Sequence, residues 1–355
     1  MTGTGRRAFA LLGRIAVAAL LLAVVAALVG PQRLQAQLRS ADPVWFVVAV
    51  ALSTAAQSVS ALRWSAIARA LGLRAPPVPL VLAYAQGIAL NVLLPGATLG
   101  GDTLRSVRLR RLGNPLAESA LSVVLDRLSG LWVLCLMSLC AGLAGVAGGG
   151  LADVEAALRH AGVTVLPLAG TAIAQFYVAG LVAAIALPFL PWRFALPGRA
   201  AMGGVAADAG PAPREGRWMR LHRRLAELHA LVVSRRGPLA RSLWGSILVQ
   251  LLSAAALWGC ARAAGEPVGY GAVLAVSAPV FVAAAVPVSI GGFGPRELAA
   301  LVFFPLVGIA PQQGVAAAAL YGLAAVVLGI ACSPLLAWVG RGGTDGACGE
   351  GSAQP

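Results

Sequence analysis

Apolar runs long enough to cross a bilayer alternate with short polar connections along most of this chain. A helix rises about 1.5 Å per residue, so roughly 20 apolar residues cross a hydrocarbon core of about 30 Å. On this basis we predict an all-α polytopic membrane protein with about six full transmembrane helices. The predicted spans cover about residues 8–30, 44–62, 117–147, 163–190, 240–262 and 312–339, and the first connection is a polar loop over 31–43.

A Pro and a pair of Gly interrupt the apolar sequence at residues 91–105. Pro95 cannot continue a helix, and Gly100 and Gly101 follow it, with Arg105 four residues after the second Gly. The apolar run before the break is too short to cross the core alone. Basic residues lie on both sides of this segment. We therefore predict a re-entrant broken-helix hairpin that enters and leaves the membrane from the cytoplasmic side.

The same pattern returns at residues 286–297. A Pro precedes Gly291 and Gly292, Arg296 follows four residues after the second Gly, and Glu297 comes next. The distribution of Arg places the opening of this second hairpin on the outer side. The two re-entrant hairpins are therefore predicted to form an inverted-repeat pair, the arrangement by which alternating-access carriers build a midplane site.

The charge of the chain predicts its orientation. The 27 basic residues are all Arg and exceed the 13 acidic ones, which gives a net charge of +14. In a soluble protein this excess would suggest nucleic acid, but in a polytopic protein it indicates which side is cytoplasmic, and we expect no nucleic-acid partner. We assign twenty Arg to cytoplasmic regions, including Arg63, Arg69 and Arg74 after the second span. A multi-pass protein of a bacterial cytoplasmic (inner) membrane with a cytoplasmic N-terminus is expected.

The organisation predicted from these patterns is one transmembrane domain over residues 1–340. Its first half covers about 8–190 and its second half about 240–340. Residues 192–239 form a basic cytoplasmic loop, within which apolar and Arg positions alternate as in an amphipathic helix on anionic headgroups. The Gly-rich tail, 341–355, is expected to be disordered.

Two adjacent charges, Asp126 and Arg127, lie within a predicted span. A charge near the bilayer centre costs at least about 2.5 kcal/mol, so such side chains normally face the interior of the bundle. Neighbours in sequence point about 100° apart on a helix, so we expect each to pair with another group. An ion-pair network that is only structural and one that changes partners during transport both stay open. The candidate partners are Arg105 or Arg296 for Asp126, and Asp102 or Glu297 for Arg127.

The sequence contains no known catalytic or metal-binding motif. HExxH, CxxC, a Walker loop and G-x-S-x-G are all absent, and the five Cys fall mostly in apolar spans. We therefore expect no catalytic residues, no metal and no cofactor, and a protein that is not an enzyme. Two alternatives stay open. One is a membrane-embedded transferase acting on a lipid-linked donor, with Asp126 or Glu297 as base. The other is a non-transporting membrane partner of a lipid-modifying enzyme.

Four motifs that occur in order resemble the flippase-like transmembrane region of the lysylphosphatidylglycerol synthase family. The resemblance covers about residues 10–340. In the full-length synthases this region precedes a soluble aminoacyl-transferring domain, for which the chain has no room before Pro355. The expectation is a stand-alone member that does not transfer lysine. The motifs are Asn91…Leu94-Pro95-Gly96, Gly100-Gly101-Asp102 with Arg105, Leu125-Asp126-Arg127-Leu128-x-Gly130, and Pro287…Gly291-Gly292-Phe293-Gly294-x-Arg296-Glu297.

The resemblance also implies a function and a site. The expected function is a lipid translocator that moves an anionic phospholipid or a lipid-linked headgroup between leaflets, through a cavity formed by the two hairpins. Its partners would be membrane lipids with anionic headgroups, and a homo-oligomer stays open. Pro295, between Gly294 and Arg296, departs from the family pattern. The substrate-binding residues implied are Asn91, Pro95, Gly100, Gly101, Asp102, Arg105, Asp126, Arg127, Gly291, Gly292, Arg296 and Glu297.

Overall fold

A computed structural model shows helices throughout the part of the chain that it describes. That part comprises residues 31–93, 98–147, 236–286 and 292–337, with a few residues between 19 and 27 and between 175 and 186. The predicted spans at 8–30 and 163–190 therefore lie mostly outside the described residues. Nearly all of the basic loop, the C-terminal tail, Pro95 and Gly291 lie outside them as well.

Within residues 31–147, and again within 236–337, the described helices follow one another with short connections. The second of these regions also contains a 3₁₀ turn, Phe304–Val307, and a short turn, Pro334–Ala337. Proline begins most of these helices, where its fixed φ and missing N–H are tolerated. The helices are α1 (Pro31–Arg39), α2 (Pro43–Ala70), α3 (Pro77–Leu93), α4 (Thr98–Arg111), α5 (Leu116–Ala147), α6 (Arg236–Ala263), α7 (Tyr270–Ala285), α8 (Pro295–Phe303) and α9 (Pro311–Cys332).

Four described segments are long and apolar enough to cross a membrane, and they coincide with four of the six predicted spans. Only 28–44% of the most apolar window of each is buried within the chain. Large side chains such as Val47, Leu128 and Val327 point outward, as expected for a surface covered by lipid. The all-α, membrane-spanning class is thus confirmed, while the total of six spans stays a prediction. The segments are Pro43–Ala70, Leu116–Gly145, Ser242–Ala263 and Pro311–Cys332.

The helices α2 and α6 pack against each other along their length and form the centre of the bundle. Small residues allow this close approach. A Cβ at Gly259 would lie 3.2 Å from the Cβ of Ala49, and one at Gly245 would lie 3.2 Å from the Cγ of Arg63. The two contacts pair early residues of one helix with late residues of the other, so the helices run antiparallel. Small residues serve the same purpose in other membrane helix pairs.

The first predicted hairpin is a pair of antiparallel helices, α3 and α4, on either side of the break at 94–97. Gly101 lies so close to Gly87 that a Cβ there would be 2.6 Å from the Gly87 carbonyl oxygen. Asn91 joins the two helices, because its Oδ1 accepts a hydrogen bond from the Gly101 N–H at 3.0 Å. The helices contain 17 and 14 residues, and at about 1.5 Å per residue neither reaches across a core of about 30 Å. The hairpin shape agrees with the prediction, and its re-entry into a membrane stays a prediction.

The second predicted hairpin is formed by α7, α8 and the 3₁₀ turn, which pack together. Gly292 has φ +79°, and a Cβ there would lie 3.0 Å from the Ala284 Cβ, so this turn requires glycine. Pro295 is the first residue of α8, a position that favours proline. With nine residues α8 is too short to cross the core, and it folds back along α7. Much of segment 298–310 therefore packs against α7, and the re-entry of this hairpin into a membrane stays a prediction.

The helix α9 contacts both hairpins through three glycines. A Cβ at Gly314 would lie 2.7 Å from the Cβ of Phe304, and one at Gly329 would lie 2.5 Å from the Cγ2 of Val92. Between them, Gly322 contacts the guanidinium group of Arg296. Both breaks are thus positioned by one helix. The spacing of these glycines is visible in the sequence, although it was not among the features used for the prediction.

The connection between the first two predicted spans is not a simple loop. The segment predicted as the polar loop 31–43 contains the helix α1, which packs against α9. Gln37 Nε2 donates to the carbonyl oxygen of Ala264 at 2.9 Å, and the N–H of Asp42 donates to the carbonyl oxygen of Ala263 at 2.9 Å. The loop prediction was wrong, because residues 31–39 form a helix that the side chain of Gln37 joins to the end of α6.

Candidate functional site

Asp126 lies at the centre of a buried ion-pair network between α2, α4 and α5. Its side chain is almost fully buried, and both carboxylate oxygens accept charge-assisted hydrogen bonds. Arg63 Nε donates to Oδ1 at 3.0 Å, and Arg105 Nη2 donates to Oδ2 at 2.8 Å. Arg63 also donates to the backbone oxygen of Asp126 and to Ser246 Oγ, both at 3.0 Å. The network therefore joins α6 as well.

Arg105 is held between two aromatic rings. Its guanidinium carbon lies 4.3 Å from the ring centroid of Trp64 and 4.4 Å from that of Tyr84. Trp64 is itself fixed, because its Nε1–H donates to Ser122 Oγ at 3.1 Å. Such stacking suits the planar, weakly hydrated guanidinium group of Arg. Arg105 Nε is buried and has no hydrogen-bond partner among the described residues.

Asp102 extends the network toward the surface. Its Oδ1 accepts from Arg127 Nη2 at 2.9 Å and from Arg105 Nη1 at 3.3 Å, and its Oδ2 accepts from Arg127 Nε at 3.1 Å. The Arg127 side chain is 54% exposed and that of Asp102 is 22% exposed. We call Arg63, Arg105, Arg127, Asp102 and Asp126 the first charge network. Three guanidinium groups face two carboxylates, so one positive charge is in excess. Arg63 and Arg105 share the buried Asp126, while Arg127 pairs with Asp102 at the exposed edge.

Glycines on neighbouring helices make room for Arg63. A Cβ at Gly130 of α5 would lie 3.2 Å from Arg63 Nη1. On α6, Gly245 touches the aliphatic part of the same side chain. Gln250 Nε2 donates to the carbonyl oxygen of Gly130 at 2.9 Å, which also ties α6 to α5. Gly130, part of the third sequence motif, therefore has a packing role.

The second hairpin has a different arrangement of charges. Arg296 and Glu297 are 2% and 1% exposed, and Arg296 Nη2 lies 2.7 Å from Glu297 Oε1. Glu297 Oε2 accepts from the N–H of Gly294 at 2.6 Å, and the guanidinium carbon of Arg296 lies 4.7 Å from the ring centroid of Phe293. We call Arg296 and Glu297 the second charge pair. It is neutral and closed to the surroundings.

The two sets of charges lie at different levels of the bundle. The second charge pair contacts Gly322 of α9. The hairpin helix α3 lies beside the short turn that follows α9, since Gln86 Nε2 donates to the carbonyl oxygen of Leu335 at 2.9 Å. Arg105 lies over Tyr84, one half-turn before Gln86. Among the described residues, no ion pair joins the first charge network to the second charge pair.

The structure decides between the partners left open by the sequence. Asp126 pairs with Arg105 and Arg127 pairs with Asp102, while Arg296 and Glu297 pair with each other. Arg63 was wrongly assigned to the cytoplasmic cluster, because α2 continues to Ala70 and buries Arg63 within the bundle. The Ala-rich, apolar sequence after Arg63 was the available signal that the helix continues.

The predicted site residues fall into two groups. Asn91, Gly100 and Gly101 lie at the first break, beside the first charge network, and Gly292 lies at the second, beside the second charge pair. Pro95 and Gly291 lie outside the described residues. That these residues bind a substrate stays a prediction.

This arrangement, with two helical hairpins and buried charges among apolar helices, defines a polytopic α-helical membrane domain with a polar interior. Residues 11–332 match the family model of the lysylphosphatidylglycerol synthase TM region, and the chain belongs to this family. The protein is therefore an integral membrane member of a lipid-related family. It is also similar to a UPF0104 membrane protein of Methanothermobacter thermautotrophicus, with 32% identity over 114 residues. That match spans 32% of this chain and 32% of the relative, about a third of each.

Proposed function

We propose that this protein moves an anionic phospholipid, or a lipid-linked headgroup, between membrane leaflets. In this proposal the phosphate of the headgroup binds at the exposed edge of the first charge network. The observation that carries the proposal is the half-exposed ion pair of Arg127 with Asp102, which is continuous with the buried Arg105 and Asp126. A ligand can reach Arg127 without opening the bundle.

The electrostatics of the first charge network favour an anion. Its excess positive charge lies in an apolar environment, where screening by water and salt is weak. Arg127 uses Nε and Nη2 to hold Asp102, the same two-point geometry with which Arg binds phosphate. An incoming phosphate would therefore compete directly with Asp102. When no ligand is bound, Asp102 is the counter-ion of Arg127.

The state of the carboxylates supports a protein that is not an enzyme. The transferase alternative requires Asp126 or Glu297 as a general base. Both oxygens of Asp126 accept from guanidinium groups, and those of Glu297 accept from Arg296 and from a backbone N–H. A general base must lie within reach of the proton that it removes. Both carboxylates are buried and paired with arginine, which favours binding and translocation over catalysis.

The distribution of Arg supports a cytoplasmic face at one end of the bundle. Asn114 bonds to the backbone N–H of Arg74 at 2.7 Å and to its carbonyl oxygen at 2.9 Å, which brings the connections after α2 and α4 together. Arg108, Arg110 and Arg111 lie in the last turn of α4 at this end. By the positive-inside rule we propose that this end faces the cytoplasm. The bacterial inner membrane and the cytoplasmic N-terminus expected from the sequence stay part of this proposal.

Transport in reconstituted vesicles tests this proposal. We expect full-length protein to accelerate the transbilayer movement of labelled phosphatidylglycerol over that in protein-free vesicles. Arg127→Gln should slow it by about tenfold or more, because a charge-assisted contact with the phosphate is lost. Arg110→Gln is the matched control, since Arg110 is exposed and makes no contact with the first charge network; it should transport as the wild type does. A wild-type rate equal to that of empty vesicles, or of Arg127→Gln, would overturn the proposal.

A further inference from the structure

A second place with anion-binding chemistry lies on the first hairpin, outside the first charge network. Between α3 and the end of α4 is a cleft of about 200 Å³. Arg108, Arg111 and Gln86 are its polar lining residues, and apolar residues such as Leu82 and Leu112 form the rest. Two arginines and several apolar residues thus line one concave surface.

The two arginines of the cleft have no acidic partner in the described part of the chain. Arg108 and Arg111 are three residues apart on one helix, where like charges destabilise each other. Positive charge in the last turn of α4 offsets the helix dipole and follows the positive-inside rule. These two effects explain why the last turn of α4 is positively charged. They do not explain why Arg108 and Arg111 line the cleft, because Arg110 contributes equally to both effects although it is exposed and outside the cleft.

We propose that this cleft binds the headgroup phosphate of an anionic phospholipid from the leaflet at which α4 ends. The paired guanidinium groups match a phosphate, and the apolar wall matches the adjoining glycerol and upper acyl chains. Sites for whole drug-sized ligands occupy roughly 300–1,000 Å³, so a cleft of about 200 Å³ suits a headgroup whose chains stay in the bilayer. The inference goes beyond the translocation proposal, since it concerns binding at a different position.

Equilibrium lipid binding tests the cleft without any transport step. Purified full-length protein in detergent is titrated with phosphatidylglycerol or phosphatidylcholine, and bound lipid is counted by native mass spectrometry. The measurement is made in the wild type and in Arg127→Gln, so that the first charge network can be separated from the cleft. The variants are Arg108→Gln with Arg111→Gln, Arg111→Gln alone, and the matched control Arg110→Gln. The single Arg111→Gln change, at an exposed position, serves if the double variant does not fold.

The expected result is a Kd for phosphatidylglycerol that rises about tenfold in the double variant and about threefold in Arg111→Gln. The control should keep the wild-type Kd, and phosphatidylcholine should bind weakly throughout. Unchanged binding in both cleft variants, or an equal loss in Arg110→Gln, would overturn the proposal. Soluble sn-glycerol 3-phosphate should not displace the lipid. If it does so at equal concentration, the cleft binds a free phosphate compound, and the proposal that it binds a lipid is contradicted. Loss of transport in Arg127→Gln, by contrast, leaves this result unaffected.

Discussion

The two hairpins bury their arginines equally, since Arg105 and Arg296 are each 2% exposed, but the ion pairs beside them differ in exposure. Beside the first hairpin, 54% of the side chain of Arg127, on α5, and 22% of that of its partner Asp102 are exposed. At the second, Arg296 and Glu297 are 2% and 1% exposed, and a glycine of α9 accommodates the guanidinium group. An ion pair at an open edge can exchange its partner for a ligand, while a closed pair cannot do so without a rearrangement. From this comparison we propose that ligand binding belongs to the edge of the first charge network and that the second charge pair fixes the break.

The largest effect on stability is expected from Asp126→Ala. This change leaves Arg63 and Arg105 buried with their main counter-charge removed, and breaking one buried pair already costs about 3–5 kcal/mol. The free energy of unfolding, measured by chemical unfolding in detergent micelles, should fall by at least that range. A loss below about 1 kcal/mol would mean that water reaches both guanidinium groups. The first charge network would then have no closed interior.

A double-mutant cycle tests whether the second charge pair is only structural. Glu297→Gln alone should lower the free energy of unfolding by about 3–5 kcal/mol, since buried Arg296 loses its counter-charge. Arg296→Met combined with Glu297→Gln removes both charges and should return to within about 1 kcal/mol of the wild type. A double variant no more stable than the single one would contradict the view that the pair can be replaced by neutral groups.

The close contact within the first hairpin gives a smaller effect. A Cβ at Gly101 would lie 2.5 Å from Asn91 Oδ1 and 2.6 Å from the Gly87 carbonyl oxygen. Gly101→Ala should therefore cost about 1–3 kcal/mol of unfolding free energy through overpacking. Gly142→Ala is the control, because nothing lies within 4 Å of a Cβ there and the change raises helix propensity. Equal stability of the two variants would show that the hairpin is not closed at Gly101.

The smallest effect concerns Glu266, in the connection between α6 and α7. Burial raises the pKa of this carboxyl above its ordinary value of 4.5, and a hydrogen bond with Gln313 partly opposes the shift. The folded state therefore binds the proton more tightly, so stability is greater at low pH and falls as pH rises from 4.5 through the raised value. Glu266→Gln should remove this pH dependence from unfolding curves. If the pH dependence of stability is unchanged in Glu266→Gln, that dependence arises from other carboxylates.

The sequence was sufficient for the elements of the first hairpin and for part of its site. Pro95 and the glycines predicted the break, and Asp102, Arg105, Asp126 and Arg127 were all expected to form ion pairs. The reason is local, because a charge inside an apolar helix must find a partner. The choice of partner depends on which helices are neighbours, and the sequence left that choice open.

The parts that sequence reasoning missed depend on packing between distant helices. Arg63 follows an apolar run and precedes Arg69 and Arg74, so it resembles the start of a cytoplasmic cluster. Its burial is settled by Gly130 and Gly245 on two other helices, which provide space for the side chain. The separation of the two sets of charges also depends on how α3 packs against α9. Neither feature can be predicted from the sequence of a single helix.

The most direct test compares transport by two variants at equal amounts of folded protein in vesicles. Arg127→Gln opens the edge of the first charge network, and the double variant Arg296→Met with Glu297→Gln neutralises the second charge pair. We predict that Arg127→Gln loses phosphatidylglycerol movement while the double variant keeps a rate close to that of the wild type. Retained movement in Arg127→Gln together with loss in the double variant would contradict the assignment of the headgroup contact to the first hairpin.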